Sequence, residues 1–142
     1  MDYGGDVSAK ECWGLLRDAP DCVLVDVRTT AEWAYVGIPA LEDGMKELVL
    51  QQWQVFPDMS VDPEFAIKLD QQLNKLGANK NTKLCFLCRS GVRSLAAARA
   101  MTATGYRNSY NVSNGFEGDL DKFGHRGSRN GWKADGLPWQ QR

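Results

Sequence analysis

Apolar residues are concentrated in short runs that are typical of buried strands. Residues 23–27 and residues 82–87 each form such a run, bounded by polar residues and turn formers. Runs of this length with β-branched and aromatic residues favour strands covered on both faces, as in a parallel sheet. Residues 108–112 predict a last strand, and the less regular residues 47–55 predict a strand plus a loop.

Two capping-box patterns predict helices next to the first strand. Ser8 and Glu11 have the spacing of a helix start, and the helix should run to about Arg17. Thr29 and Glu32 repeat the pattern for a brief helix directly after the strand.

Two longer helices are predicted in the second half. Asp62 followed by Pro63 is typical of a helix start, and apolar residues recur at helical spacing up to Leu76. The alanine-rich residues 94–104 predict another helix, closed by Gly105. Strands that alternate with helices predict an α/β fold with parallel pairing and helices on both faces of the sheet.

Length and composition narrow the class of protein. With 142 residues, 43% of them hydrophobic, one domain over residues 1–142 is expected. The formal charge of −1 argues against a nucleic-acid surface over the whole domain. No run approaches the roughly 20 apolar residues of a membrane helix, and no signal-peptide pattern opens the chain. A cytoplasmic protein with reduced cysteines and no membrane partner is expected.

The strongest candidate for chemistry is the loop between the strand at residues 82–87 and the helix that follows. Its sequence is Cys88-Arg89-Ser90-Gly91-Val92-Arg93. The helix start and the two arginines favour the thiolate of the cysteine over the thiol, and the glycine allows a tight anion-binding turn. The alternative is a buried cysteine that merely ends a strand, but two arginines in so short a loop disfavour it.

Several further segments, taken with this loop in chain order, resemble the rhodanese-type sulfurtransferase domain. They are residues 23–28 (Val-Leu-Val-Asp-Val-Arg) with Glu32-Trp33, then Gly37-Ile38-Pro39, Asn111-Val112, residues 114–116 and residues 131–139. The family's usual histidine before Ile-Pro is absent. The segment of residues 42–60 is longer than the corresponding segment in compact members of the family. It is therefore a candidate to shape the mouth of the active-site pocket.

The resemblance implies a rhodanese-like fold with a central parallel sheet of about five strands. It also implies a sulfurtransferase that carries sulfane sulfur as a persulfide, from thiosulfate or a similar small donor to cyanide, a thiol or a thiol protein, without cofactor or metal. By the same resemblance Cys88 is the catalytic residue, and the substrate-binding residues are Arg89, Ser90, Gly91, Val92 and Arg93.

Two other functions stay open. Related cysteine-dependent phosphatases and arsenate reductases use a similar loop, but theirs is longer than the six residues 88–93 and admits a larger oxyanion. A non-catalytic binding or regulatory module is the other alternative, and the presence of Cys88 favours activity over it.

The remaining cysteines and the single histidine are weaker candidates. Cys85 and Cys88 form a Cys-x-x-Cys pattern, but Cys85 falls inside a predicted strand, so a core cysteine is favoured over a redox partner or half of a metal site. Cys12 and Cys22 are interpreted as packing residues. His125 lies in a glycine-rich loop, where a solvated side chain is favoured over a general base.

The residues after the first strand are interpreted as structural. Asp26, Arg28 and Glu32 are expected to form one cluster of ion pairs and hydrogen bonds that fixes the strand end beside the loop. The tryptophans are candidates for the pocket mouth or for packing, and the pattern does not separate the two. These residues are Trp33, Trp53, Trp132 and Trp139.

Overall fold

Short strands and four helices make up the part of the chain, residues 2–142, that the computed structural model describes. The strands are β1 (Gly5–Val7), β2 (Val23–Asp26), β3 (Ile38–Pro39), β4 (Val49–Leu50), β5 (Gln54–Val55), β6 (Ser60–Val61), β7 (Leu84–Leu87), β8 (Ser109–Val112) and β9 (Trp139–Gln140). The helices are α1 (Ala9–Asp18), α2 (Thr30–Tyr35), α3 (Phe65–Lys75) and α4 (Val92–Ala103).

The central sheet has five parallel strands in the order β1-β8-β7-β2-β4. Two antiparallel pairs, β3 with β9 and β5 with β6, lie outside it. This confirms the predicted α/β class with a central parallel sheet of about five strands. Because all pairings in the sheet are parallel, the strands end at one edge, where ligands bind in such folds. Cys88 lies at that edge, directly after β7.

Side chains of β7 alternate between the two faces of the sheet. Phe86 and Cys88 pack in the cluster that α3 and α4 cover, whereas Cys85 and Leu87 pack in the cluster that α1 covers. The alternation is the normal geometry of a strand. The two cysteines of the Cys-x-x-Cys pattern therefore face opposite sides of the sheet.

Both faces of the sheet are covered by apolar side chains, so the prediction of helices on both faces is confirmed. On one face the buried helical residues are Phe65, Leu69, Leu73, Ala97, Ala98 and Met101. On the other, α1 and the C-terminal segment contribute Cys12, Trp13, Leu16, Phe116 and Trp132. Each fully buried leucine, phenylalanine or methionine among them contributes roughly 1.5–3 kcal/mol, which holds the strands that carry the site.

Both predicted capping boxes are present. The Glu11 amide donates to Ser8 Oγ at 3.0 Å, and the Ser8 amide donates to Glu11 Oε1 at 2.8 Å. Thr29 and Glu32 make the same reciprocal pair at the start of α2. These local bonds satisfy amides that a helix start leaves free, which is why the pattern predicted both starts.

The starts of the two longer helices differ from the prediction. The helix expected from Pro63 begins at Phe65, because Asp62 closes a turn by accepting the Glu64 amide on its side chain at 2.9 Å and the Phe65 amide on its carbonyl at 3.1 Å. The helix expected from residue 94 begins two residues earlier, at Val92, because Gly91 adopts a left-handed conformation as its cap.

The pattern of apolar residues along the sequence did not predict several short strands, among them β1 and the hairpin of β5 and β6. None of these carries a run of apolar residues. Within residues 2–142, no helix has both the length and the apolar character needed to cross a membrane.

Candidate active site

The loop at residues 88–93 encloses the Cys88 sulfur. Gly91 donates its amide hydrogen to Cys88 Sγ at 3.1 Å. Its φ of 109° is in the left-handed region, and an added Cβ would lie 2.2 Å from the carbonyl oxygen of Ser113. Only glycine fits this position, so the turn that brings the amide to the sulfur depends on it.

Helix α4 begins within this loop, which places Cys88 at its N-terminal end. The first amides of a helix have no partner within the helix, and the helix dipole adds positive potential there. An anion at Cys88 Sγ, whether a thiolate or an attached sulfur, is therefore stabilised by the backbone.

A cavity of about 370 Å³ opens from the Cys88 sulfur to the surface. Its lining comes from the loop, from α2 and from the hairpin of β5 and β6, and consists of Glu32, Gln54, Met59, Cys88, Arg89, Ser90, Val92 and Arg93. The expectation that residues 42–60 shape the mouth is therefore confirmed by Gln54 and Met59, which had not been singled out individually.

The two arginines of the loop differ in their partners. Arg93 forms a bidentate ion pair with Glu32, with Nη1–Oε1 and Nη2–Oε2 distances of 2.7 and 2.9 Å. Arg89 is exposed and makes no ion pair with any residue of the described chain. Arg89 is therefore the loop cation with its charge available at the cavity.

The ion pair with Arg93 sets the charge state of Glu32. Burial by itself would raise the pKa of this carboxyl, but the hydrogen bonds and charge of Arg93, with help from Thr29, lower the pKa to about 2. The hydrogen bond to Glu32 also raises the pKa of Arg93. Both side chains thus stay ionised at neutral pH.

The expected cluster at the end of β2 contains two of the three predicted residues. Arg28 holds Asp26 through Nε–Oδ1 and Nη2–Oδ2 contacts of 2.9 and 2.7 Å, and its Nη2 also donates to the Gly37 carbonyl at 2.8 Å. Both charged side chains are fully buried. Glu32 is not part of this cluster, because its carboxylate is bound to Arg93.

Sequence analysis did not identify a polar chain behind the sulfur. Ser94 Oγ lies 3.1 Å from Cys88 Sγ and donates to Asn111 Oδ1 at 2.6 Å, and Asn111 in turn donates to Asp6 Oδ1 at 3.1 Å. These residues come from α4, β8 and β1. The sequence indicated this chain of hydrogen bonds only through the serine directly after the loop, because the contacts of Asn111 and Asp6 depend on strand pairing.

Other sequence candidates lie away from the cavity. His125 is exposed and does not line it. Cys12, Cys22 and Cys85 are buried in the cluster under α1, as expected for packing residues. A hydrogen bond to Cys85 and burial raise the pKa of the Cys22 thiol, and a hydrogen bond to Cys12 does the same for Cys85. The thiols of Cys22 and Cys85 are thus kept protonated.

The tryptophans pack rather than line the cavity. Trp132 contacts Trp13 edge to face at a centroid distance of 5.7 Å, and Trp53 contacts Phe65 in the same way at 4.9 Å. Across residues 2–142, no group of three or more histidine, cysteine or acidic side chains is placed to hold a metal ion.

Comparisons with known proteins agree with this geometry. The family model for the rhodanese-like domain matches residues 8–122. A Rickettsia rickettsii protein described as an uncharacterized RP600 homolog is 38% identical over 136 residues, which cover 95% of this chain and 96% of that protein.

Solved structures show the same fold. The crystal structure of Rv0390 from M. tuberculosis has a TM-score of 0.88 and 42% identity, and the match covers 99% of both chains. The solution structure of the polysulfide-sulfur transferase homodimer from Wolinella succinogenes has a TM-score of 0.59 at 22% identity, over 99% of this chain and 80% of that one, which is a likeness of fold. The chain belongs to the rhodanese-like domain family.

Proposed function

We propose that the protein is a sulfurtransferase that carries sulfane sulfur on Cys88. In the first half-reaction the Cys88 thiolate attacks the outer sulfur of thiosulfate or a similar donor. The sulfur–sulfur bond of the donor breaks, sulfite leaves with the bonding electron pair, and a persulfide anion remains on the enzyme. In the second half-reaction a nucleophile such as cyanide or a thiol takes the outer sulfur and releases the Cys88 thiolate.

The observation that carries this proposal is the position of the Cys88 sulfur. It lies at the base of a cavity, 3.1 Å from the Gly91 amide nitrogen and at the N-terminal end of α4. Both the thiolate and the persulfide are anions, and backbone amides that are fixed in advance stabilise an anion without reorganisation. Since both steps are displacements at sulfur, the cycle needs no metal or organic cofactor.

In this proposal, the loop side chains and amides bind the donor. Arg89 attracts the anionic donor and stabilises the departing sulfite, because no carboxylate of the described residues shares its charge. Arg93 adds positive charge that it shares with Glu32, and its ion pair keeps the loop in shape. Ser90, Gly91 and Val92 complete the binding surface with their amides.

The acceptor is a small thiophile or a thiol, including a thiol on another protein. A persulfide cycle needs a free thiolate between turnovers, and all four cysteines are free in the structure. Such chemistry suits a reducing compartment, for which we propose the cytoplasm.

Intact mass measured before and after addition of thiosulfate tests the proposal. The wild type should gain one sulfur atom and lose it again when cyanide is added. Cys88→Ser should gain nothing, whereas Cys85→Ala, which removes a buried cysteine on the opposite face of the sheet, should behave as the wild type. If the wild type gains no sulfur, thiosulfate is excluded as the donor. Turnover of a phosphate ester that depends on Cys88 would overturn the sulfurtransferase proposal itself.

A further inference from the structure

A chain of hydrogen bonds, buried except at its Asp6 end, links the Cys88 sulfur to the first strand of the protein. It runs from Cys88 Sγ to Ser94 Oγ, then to the Asn111 amide and finally to the Asp6 carboxylate. Ser94 is fully buried and Asn111 is 4% exposed, so water does not compete for the contacts of Ser94 with Cys88 and Asn111. Asp6, at the other end, is exposed. The direction in which each hydrogen points is therefore decided by the groups themselves.

Asp6 fixes the orientation of the Asn111 amide. Asp6 lies opposite Asn111 in the parallel register of β1 and β8, and an ionised carboxylate can only accept hydrogen bonds. The amide nitrogen of Asn111 must therefore face Asp6, at 3.1 Å. The amide oxygen consequently faces Ser94.

The orientation of Asn111 in turn determines what Ser94 offers to the sulfur. A serine hydroxyl has one hydrogen and two lone pairs. Ser94 gives its hydrogen to Asn111 Oδ1 over a short distance of 2.6 Å, so it turns lone pairs toward Cys88 Sγ, 3.1 Å away. In this arrangement Ser94 can accept the hydrogen of a thiol but cannot donate to a thiolate.

We propose that Asn111, oriented by Asp6, is a positioning residue that keeps the Ser94 hydrogen away from the Cys88 sulfur and so opposes formation of the free thiolate. This influence acts against that of the Gly91 amide and the helix start, which favour the anion. To donate to the thiolate, Ser94 must break its hydrogen bond to Asn111 Oδ1 and leave that buried acceptor without a donor.

For the catalytic cycle, the consequence rests on the proposed function. In the persulfide the negative charge is centred on the outer sulfur, and Cys88 Sγ has two covalent bonds and no full charge. The Ser94 lone pairs then no longer face an anion, and the bond to Asn111 is kept. Asn111 and Asp6 thus favour the sulfur-loaded enzyme relative to the free thiolate.

The other charged groups around Cys88 come from the elements that surround the cavity and the end of β2. They are Arg89 and Arg93 after β7, Glu32 on α2, and the Asp26–Arg28 pair. Substitutions at Asn111 and Asp6 leave all of them in place, so these groups do not account for a change in the reactivity of the thiol.

The pH profile of Cys88 alkylation by iodoacetamide tests the proposal without requiring sulfur transfer. The readout is the rate at Cys88 itself, identified by peptide mass. In Asn111→Leu the Ser94 hydrogen is free to turn to the sulfur, so the midpoint of the profile should fall by about one pH unit. At a pH below the midpoint, such a shift means about tenfold more thiolate. Asp6→Asn, at an exposed residue, should lower the midpoint as well, because the Asn111 amide can then flip and donate to Ser94.

A double variant separates orientation from simple charge removal. If Asp6 acts through Asn111, Asp6→Asn should have no further effect in the Asn111→Leu background. If Asn111→Leu unfolds cooperatively and its alkylation midpoint is unchanged or raised, the proposal is overturned. If Asn111→Leu does not fold, an unchanged or raised midpoint in Asp6→Asn overturns it instead. An effect of Asp6→Asn that persists in the double variant would assign it to direct electrostatics and remove Asp6 from the proposal. Absence of sulfur transfer in the wild type, together with the expected shift of the alkylation midpoint in the variants, would contradict only the proposed function.

Discussion

Arg93 in the first turn of α4 and Glu32 in the first turn of α2 join two elements that are 61 residues apart in the chain. The pair fixes the loop at residues 88–93 to the helix that follows β2, at the side of the cavity. The same carboxylate accepts the amide and hydroxyl hydrogens of Thr29, so it is held in place by its own helix start. The shape of the loop therefore depends on α2 as well as on α4.

Glu32→Gln should destabilise the protein. Loss of the charged partner leaves Arg93 partly buried with a weaker bond, and we expect the free energy of unfolding to fall by about 2 kcal/mol at neutral pH. Chemical denaturation measures the effect. Glu42→Gln, at an exposed glutamate that forms no ion pair within residues 2–142, is the matched control and should leave the free energy within about 0.5 kcal/mol.

The same variant should change how stability depends on pH. Because the pKa of Glu32 is lowered from 4.5 to about 2 in the folded protein, the wild type keeps this stabilisation above about pH 4.5 and loses it as the pH falls toward 2. The difference between wild type and Glu32→Gln should therefore shrink over that range. A difference that stays constant down to pH 2 would show that the ion pair does not stabilise the fold.

Arg89→Gln should weaken donor binding more than it slows the chemical step. The side chain is exposed and its charge is screened by salt, so we expect KM for thiosulfate to rise about fivefold at low ionic strength and less at high ionic strength. Arg89→Lys should restore most of the affinity, because a point charge suffices for attraction at a distance. Steady-state kinetics at two salt concentrations give the result, and an unchanged KM at low salt would remove Arg89 from donor binding.

Gly91→Ala should disrupt the site. The new Cβ would overlap the Ser113 carbonyl oxygen, so the loop must shift and move its amide away from Cys88 Sγ. We expect a loss of more than about 2 kcal/mol in stability and of persulfide formation, as measured by denaturation and intact mass. Gly124→Ala is the matched control, since Gly124 also has a positive φ, 79°, but open space around it. The explanation fails if both variants behave alike.

The sequence allowed prediction of those parts of the fold that depend on neighbouring residues. The strands β2 and β7 are short apolar runs, and the starts of α1 and α2 follow from side chains three residues apart. The loop at residues 88–93 is equally local, which is why Cys88 could be identified as the candidate nucleophile. Strand β1 was missed because its three residues have no pattern of their own and are ordered by pairing with Tyr110–Val112.

The parts of the site that were missed depend on contacts between distant residues. Asn111 is 17 residues from Ser94 and 105 residues from Asp6, so their hydrogen bonds follow from the strand order β1-β8-β7 and from nothing local. Glu32 was assigned to the cluster of Asp26 and Arg28 because it is close to them in sequence. The structure gives it a partner from the other half of the chain instead.

The opposite orientations of Cys85 and Cys88 determine where a bound sulfur atom can go. Cys85, Cys12 and Cys22 form a separate buried group on the far face of the sheet, so the backbone of β7 stands between them and the reactive sulfur. In the proposed cycle, a persulfide on Cys88 would thereby be protected from attack by the protein's own thiols and from closure into an internal disulfide. The proposal therefore has the sulfur leave through the cavity that Cys88 lines, to an acceptor that enters from outside.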